Sequence, residues 1–174
     1  MSDVSAIFGT LLLIGIAFPG MLTAWWTLFP AAVDRARGSL DTAPWRVFWL
    51  GLGVALGFAL PILVLVVLPF GPAKFLGLVL VAAVLAISGI GAAGLAARMG
   101  AALGAHSSGL SRAGAFVRGA VVLELAAVFP LIGWFIFVPL AVLASLGATT
   151  FALLKWAPRA QAETSAAAAS ASQA

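Results

Sequence analysis

The chain has 174 residues, of which 64% are hydrophobic and only 8% are Asp, Glu, Lys or Arg. This composition leaves no polar stretch long enough for a separate soluble domain, since a folded domain usually needs about 50 residues or more. The net charge of +4 comes from nine Lys and Arg residues near the ends of apolar segments, which suits anionic lipid headgroups and argues against nucleic acid as a partner.

Four long apolar stretches dominate the sequence. The stretches 6–29, 47–70 and 75–97 contain no charged residue, and 119–154 contains one, Glu124. Each exceeds the roughly 20 residues that a helix needs to cross a hydrocarbon core of about 30 Å. The sequence therefore predicts an all-α, polytopic membrane helix bundle. Because Asp3 and no Lys or Arg precedes the first stretch, we expect that stretch to be retained and not cleaved as a signal peptide.

The connector after the first stretch is short and charged. Residues 31–38 predict a brief interfacial extension of the first helix, ended by Gly38. Asp41 or Thr42 is expected to cap the second helix, with Pro44 in its first turn, where a missing N–H costs nothing.

The cationic residues predict the orientation, because short loops rich in Lys and Arg stay cytoplasmic. Such residues flank the second and third segments on one side: Arg35, Arg37, Arg46, Arg98, Arg112 and Arg118. We expect this side to be cytoplasmic and the N-terminus to be outside. Asp34 and Asp41 lie among these arginines and are expected to form interfacial ion pairs with them.

The stretch 119–154 decides the segment count. As a hairpin, it returns Lys155 and Arg159 to the cytoplasm and gives eight cations inside against one outside, whereas a single crossing gives six against three. We therefore expect a hairpin with its tip at Pro130, Gly133 and Trp134. The arm 113–129 is short and is expected to be either a tilted span or a re-entrant helix.

The result is a transmembrane domain, residues 1–157, followed by a tail. The five predicted membrane segments are 6–29, 46–70, 73–98, 113–129 and 134–156. The tail, 158–174, is rich in Ala and Ser and is expected to be disordered in the cytoplasm, because it has no pattern that could bury a core.

Glycines recur at short spacings within the apolar segments. Residues 89–94 formally match the G-x-G-x-x-G pattern of dinucleotide-binding folds, but they lie inside an apolar helix with no preceding strand. We interpret Gly89, Gly91 and Gly94 as a strip on which another helix packs closely, and Gly53 with Gly57 in the same way. Gly100 with Gly104 is a weaker pair of the same kind, at the cytoplasmic end of its helix. Such contacts could lie within one chain or between protomers.

Glu124 is the sharpest candidate for function. A carboxylate near the middle of a span costs about 3 kcal/mol on insertion scales and tends to be functional. By depth, its predicted neighbour is the Gly15 carbonyl, which Pro19 frees by breaking the helix ladder. Three interpretations stay open: a neutral carboxyl that fixes helix packing, a proton- or cation-handling group, and a wet, partly snorkelled position. Pro61 similarly predicts a kink, with packing favoured over transport as its role.

Enzymatic chemistry has little support in this sequence. The chain has no cysteine, so it has no cysteine nucleophile, thiolate ligand or disulfide, and His106 is its single histidine. His106 lies beside Ser107 and Ser108, but no nearby acid or oxyanion hole completes a hydrolase site. We expect no enzyme activity, no metal and no cofactor.

Three groups of residues carry a family resemblance: Phe29-Pro30, the run 44–51, and 130–134 followed by Gly147-Ala148. Their order and spacing resemble the multi-span membrane region of bacterial proteins associated with, or fused to, polymer-forming cytoskeletal modules of the bactofilin type. The resemblance covers about 29–154 and implies an inner-membrane protein with a scaffold or anchoring role. These 174 residues show no β-helical repeat module, so we expect that they do not themselves form the polymer.

The sequence thus favours an integral scaffold or assembly subunit of the bacterial cytoplasmic membrane. The alternative is a small channel or transporter in which Glu124 handles protons or cations. The expected partners are anionic lipids together with a membrane protein, a cytoskeletal protein or further copies of the chain. The residues expected to contact lipid or partner are Arg35, Arg37, Arg98 and Arg112.

Overall fold

The computed structural model describes residues 2–105, 111–129 and 131–154, with side chains described from residue 15 onward, and within these ranges it contains helices and no strand. The helices are α1 (Ser2–Leu28), α2 (Pro30–Thr42), α3 (Pro44–Val67), α4 (Gly71–Gly104), α5 (Arg112–Val128), a π-helical turn (Gly133–Phe137) and α6 (Val138–Leu153). The predicted all-α class is confirmed. His106, Pro130 and the predicted tail lie outside the described residues.

Several of these helices are long and apolar enough to cross a membrane. Three qualify by length and composition: α3, α4 and the continuous helix Gly133–Leu153. A fourth is added if Gly15–Leu28 and α2 count as one bent span. Helix α5 has 17 residues, or about 26 Å at 1.5 Å per residue, which is short for a perpendicular crossing. The protein is therefore a multi-pass helical protein, and the predicted count of five spans is not confirmed.

Helix α2 corrects the prediction for the connector. It is a separate helix bent by 107° from α1, and it continues through Gly38 to Thr42. Its buried face consists of Ala32, Val33, Ala36, Ser39 and Leu40. These positions recur every three or four residues, so they form one apolar stripe that packs against the bundle. Burial of this stripe, and the proline that begins α3, override the glycine as a helix terminator.

The start of α3 also differs from the prediction. Its first residue is Pro44, as expected, but Ala43 is the cap and no side chain accepts a hydrogen bond there. The Thr42 hydroxyl instead donates to the Gly38 carbonyl oxygen over 2.8 Å. The Asp41 carboxylate pairs with arginines. Both candidate caps are therefore used elsewhere.

Helix α4 is the centre of the bundle and contacts the other five α-helices. The core lies where α1, α2, the start of α3, α5 and α6 meet the second half of α4. The largest fully buried side chains of the core include Leu22, Val33 and Val47. The first half of α4 and the second half of α3 form a hairpin with mostly exposed side chains. We call residues 53–83 the outer hairpin.

The last apolar stretch doubles back at Gly133. A methyl group built on Gly133 would overlap the carbonyl oxygens of Ala126 and Ala127, so the π-helical turn lies directly against the end of α5. At the opposite end, the start of α5 and the end of α6 both contact α2. We call this the charged end of the bundle; it holds Asp34, Arg35, Arg37, Asp41, Arg98 and Arg112.

Candidate functional site

Two ion-pair groups tie the charged end together, and they confirm the predicted pairing of Asp34 and Asp41. The Asp41 carboxylate lies 2.9 Å from Nε of Arg98 on α4 and 3.7 Å from Nε of Arg37 on its own helix. Nη2 of Arg112 lies 2.7 Å and 2.9 Å from the two carboxylate oxygens of Asp34. These side chains are roughly half exposed, so each pair stabilises the fold by at most about 1 kcal/mol. Their main effect is to fix how α2 lies on α4 and α5.

Arg35 acts differently, because its partner is backbone. Its Nε donates a hydrogen bond to the Ala152 carbonyl oxygen over 3.1 Å. Ala152 belongs to the last turn of α6, where carbonyl groups have no partner within the helix and the helix dipole favours a cation. All four arginines predicted to contact lipid or a partner are thus engaged within the chain. Their contact with anything outside it stays a prediction.

The predicted glycine strip on α4 is a packing strip, and it faces three different elements. A methyl group on Gly89 would overlap the Trp25 indole of α1, and one on Gly94 would lie 2.8 Å from the Ala36 methyl carbon of α2. A methyl group on Gly91 would overlap the backbone of Ser145 on α6. These three glycines therefore allow α4 to contact three neighbours within one chain.

Two close contacts pair glycines on different helices, and sequence analysis predicted neither pairing, although it did indicate packing at Gly100. Gly51 of α3 and Gly147 of α6 face each other, so a methyl group on either would overlap a carbonyl oxygen of the other helix. Gly100 of α4 and Gly119 of α5 form a second crossing of the same kind. In each pair the two glycines belong to different segments, so no regular spacing along the chain signals the contact.

The α4–α6 crossing also contains a polar contact. The Thr149 hydroxyl accepts a hydrogen bond from the backbone N–H of Gly91 over 2.9 Å and donates to the Ile87 carbonyl oxygen over 3.3 Å. Ile87 and Gly91 are four residues apart and form one step of the α4 ladder, so the hydroxyl contacts both groups of that step. Thr149 is buried, with 2% of its surface exposed. This contact joins the two helices inside the apolar region.

Glu124 lies close to its predicted neighbour, the turn of α1 that contains Gly15. A methyl group built on Gly15 would be 3.6 Å from Glu124 Oε1, and the Glu124 side chain is half-buried. Pro19 is part of α1 and cannot donate to the Gly15 carbonyl four residues earlier. The structure therefore brings the carboxyl beside the turn with the free carbonyl. The role of Glu124 stays a prediction.

Gly53 and Gly57 differ from the other predicted packing glycines. Nothing lies within 4 Å of a methyl group built on either one. They share a face of α3 with three exposed side chains: Leu56 at 60%, Leu60 at 69% and Val64 at 59% exposure. We call Gly53, Leu56, Gly57, Leu60 and Val64 the open strip. Its predicted packing partner is not within the described part of this chain.

Neither metal ligands in the described residues nor a known relative indicates the function of the chain. The described residues contain no group of three His, Cys, Asp or Glu side chains that could hold a metal ion. No known family model, characterised protein or solved structure matches the chain. The resemblance to the membrane region of bactofilin-associated proteins therefore stays a prediction.

Proposed function

We propose that the protein is an anchoring or assembly subunit of the bacterial cytoplasmic membrane, and that the open strip is where it binds a transmembrane helix of a different membrane protein. The carrying observation is that this strip has the small residues of a helix-packing surface and no partner within the described chain. Small residues let two helices approach closely, and such contacts drive helix association in lipid.

The geometry of the strip supports a helix as the ligand. Gly53 and Gly57 are one turn apart and form a shallow groove, while Leu56 and Leu60 form its wall. A helix that lies in this groove gains dispersion contacts that lipid chains make less well. The outer hairpin is available for this because its buried contacts are few, whereas the faces of α4 beyond Ser88 are already occupied.

The charged end suits an anchoring role because its polar groups hold the bundle together. Its ion pairs and the Arg35 contact fix the ends of α4, α5 and α6 to α2. By the positive-inside rule this end faces the cytoplasm, the N-terminus lies outside and α5 is a tilted fifth span. The resemblance extends the proposal: the bound protein would connect the membrane to a polymer-forming cytoskeletal module.

Native mass spectrometry of the protein, gently extracted from its own membrane, tests the proposal. We expect a different membrane protein bound in stoichiometric amount. The double variant Gly53→Leu with Gly57→Leu should lose that protein, because the added side chains fill the groove. Ala59→Leu is the matched control, since Ala59 is exposed but lies about 120° and 160° round α3 from Gly53 and Gly57, outside the groove. A homo-oligomer with no other protein, or equal binding by the double variant, would overturn the proposal.

A second candidate function is a small channel or transporter that uses Glu124. The observation in its favour is the contact between this half-buried carboxyl and the proline-freed turn at Gly15, since broken helices often line ion sites in transporters. Proteoliposomes report on it directly. Proton or cation flux that disappears in Glu124→Gln supports this function, whereas flux that is unchanged by the substitution rejects it.

A further inference from the structure

A cavity of about 350 Å³ lies between α1, α4, α5 and α6 and is partly open to the surface, where Met21 and Leu85 are exposed. Its wall is apolar apart from Ser88 and Ser145 and includes no charged side chain; it is formed chiefly by Phe18, Leu85, Ala92, Leu123, Phe137 and Ala141. The volume is more than twice the roughly 150 Å³ that is enough for one benzene molecule in an apolar protein cavity. A cavity of this size and composition can hold a segment of an aliphatic chain.

Ser145 gives the cavity an unused hydrogen-bond donor. Only 4% of its surface is exposed, and its hydroxyl has no hydrogen-bond partner among the described residues. Every fully enclosed side-chain N or O in that part of the chain does have a partner, so the Ser145 hydroxyl is reached from the cavity. An unpaired hydroxyl in an apolar site costs about 1 to 3 kcal/mol, which a ligand oxygen can offset.

Ser88 supplies the complementary group. Its hydroxyl donates to the Leu85 carbonyl oxygen over 2.7 Å, so its proton is used while its oxygen can still accept. The two serines together therefore offer a free donor, the Ser145 O–H, beside an acceptor, the Ser88 oxygen. A ligand hydroxyl satisfies both, because it accepts from Ser145 and donates to Ser88. A carboxylate or ammonium group finds no counter-charge in the wall.

Two features of the neighbouring helices border this space. Gly91 lets α4 approach the Ser145 backbone closely on one side of the cavity. On the other side, Phe137 and Val138 lie at the junction of the π-helical turn and α6, and both line the cavity. Single π-helical turns inside helices occur frequently at functional sites.

We propose that this cavity is a binding site for a neutral lipid that carries one hydroxyl group, with the hydroxyl held between Ser145 and Ser88 and the chain lying along α4. The site is independent of the open strip and of Glu124, since neither lines it.

The test uses the full chain in nanodiscs with two photoactivatable probes, a 12-carbon alcohol that carries a diazirine and the matching alkane without the hydroxyl. Cross-linked peptides are mapped by mass spectrometry. At the level of single residues, the alcohol should label the lining positions Ala92, Phe137 and Ala141 in preference to exposed neighbours such as Ile87 and Leu140, and the alkane should not. Ser145→Ala should lower alcohol labelling there roughly two- to tenfold, which corresponds to one hydrogen bond.

Matched variants separate binding from folding. Ser39→Ala removes a buried hydroxyl from α2, which does not line the cavity, and should leave labelling unchanged. Ala92→Leu fills the cavity and should abolish labelling of the wall, while Ala59→Leu should not. Labelling in proportion to lipid exposure, equal labelling by the alkane, or equal labelling of Ser145→Ala would each overturn the proposal, because each indicates bulk lipid.

Discussion

The two halves of this bundle use glycine in opposite ways. Near the charged end, glycines such as Gly100 and Gly147 lie where two backbones touch, and a single added methyl group would overlap a carbonyl oxygen. In the outer hairpin, Gly53 and Gly57 face open space. Glycines in equally apolar helices therefore allow close packing within the chain in one region, and in the other they are free to contact another molecule. Spacing along the chain does not distinguish them; the contacts across helices do.

The largest effect is expected from a substitution at a close glycine contact near the charged end. Gly147→Ala places a methyl group on the Val47 carbonyl oxygen, and backbone cannot move aside as a flexible side chain can. We expect a loss of about 1 to 3 kcal/mol or more in the free energy of unfolding. Gly53→Ala makes the same chemical change in open space and should stabilise α3 slightly through helix propensity. Thermal unfolding of both variants in one detergent measures the difference, and equal melting temperatures would contradict the comparison.

A smaller effect is expected from the polar contact between α4 and α6. Thr149→Val keeps the shape of the side chain but removes the hydroxyl that bonds Gly91 and Ile87. We expect a loss of about 1 kcal/mol, the net contribution of a typical hydrogen bond. Thr150→Val is the control, because among the described residues the Thr150 hydroxyl bonds to the Leu146 carbonyl oxygen of its own helix and to no other helix. Denaturant unfolding that ranks the control as the more damaging substitution would reject the role given to Thr149.

The smallest effect concerns the ion pairs. Asp41→Asn removes the charge that faces Arg98 and Arg37, and its half-exposed position limits the loss to at most about 1 kcal/mol. The loss should shrink as salt is raised from 0.05 to about 0.5 M, since salt screens exposed charges. Lys74→Gln, at the opposite end of α4, should change stability little under either condition. A loss that does not depend on salt would show that Asp41 acts through packing.

Sequence patterns predicted the helices well because the apolar stretches are long and their charged boundaries are sharp. Residue spacing also identified Gly89, Gly91 and Gly94 as packing positions, and depth placed Glu124 beside the turn of Gly15. Patterns along the chain failed where two distant segments share a contact. The glycine crossings are one case.

Helix α2 is the other failure of sequence patterns. Its two arginines and two aspartates, together with Gly38, are typical of an interfacial connector. They made the apolar stripe that includes Val33 and Leu40 hard to recognise in the sequence. The cavity at Ser145 was also beyond prediction. A small residue in an apolar helix gives no sign of whether its neighbours close around it.

The position of α2 has a consequence for how the protein is made. Arg35 bonds to a carbonyl oxygen 117 residues later in the chain, and Asp34 pairs with an arginine 78 residues later. At a synthesis rate of about 5 to 20 residues per second, α2 waits roughly 6 to 23 seconds for its last partner to emerge. During that interval α2 can already contact α4 but lacks its contacts with α6. The N-terminal quarter of the protein is thus complete in its packing only after translation of α6, so truncated chains should leave α2 open to proteases.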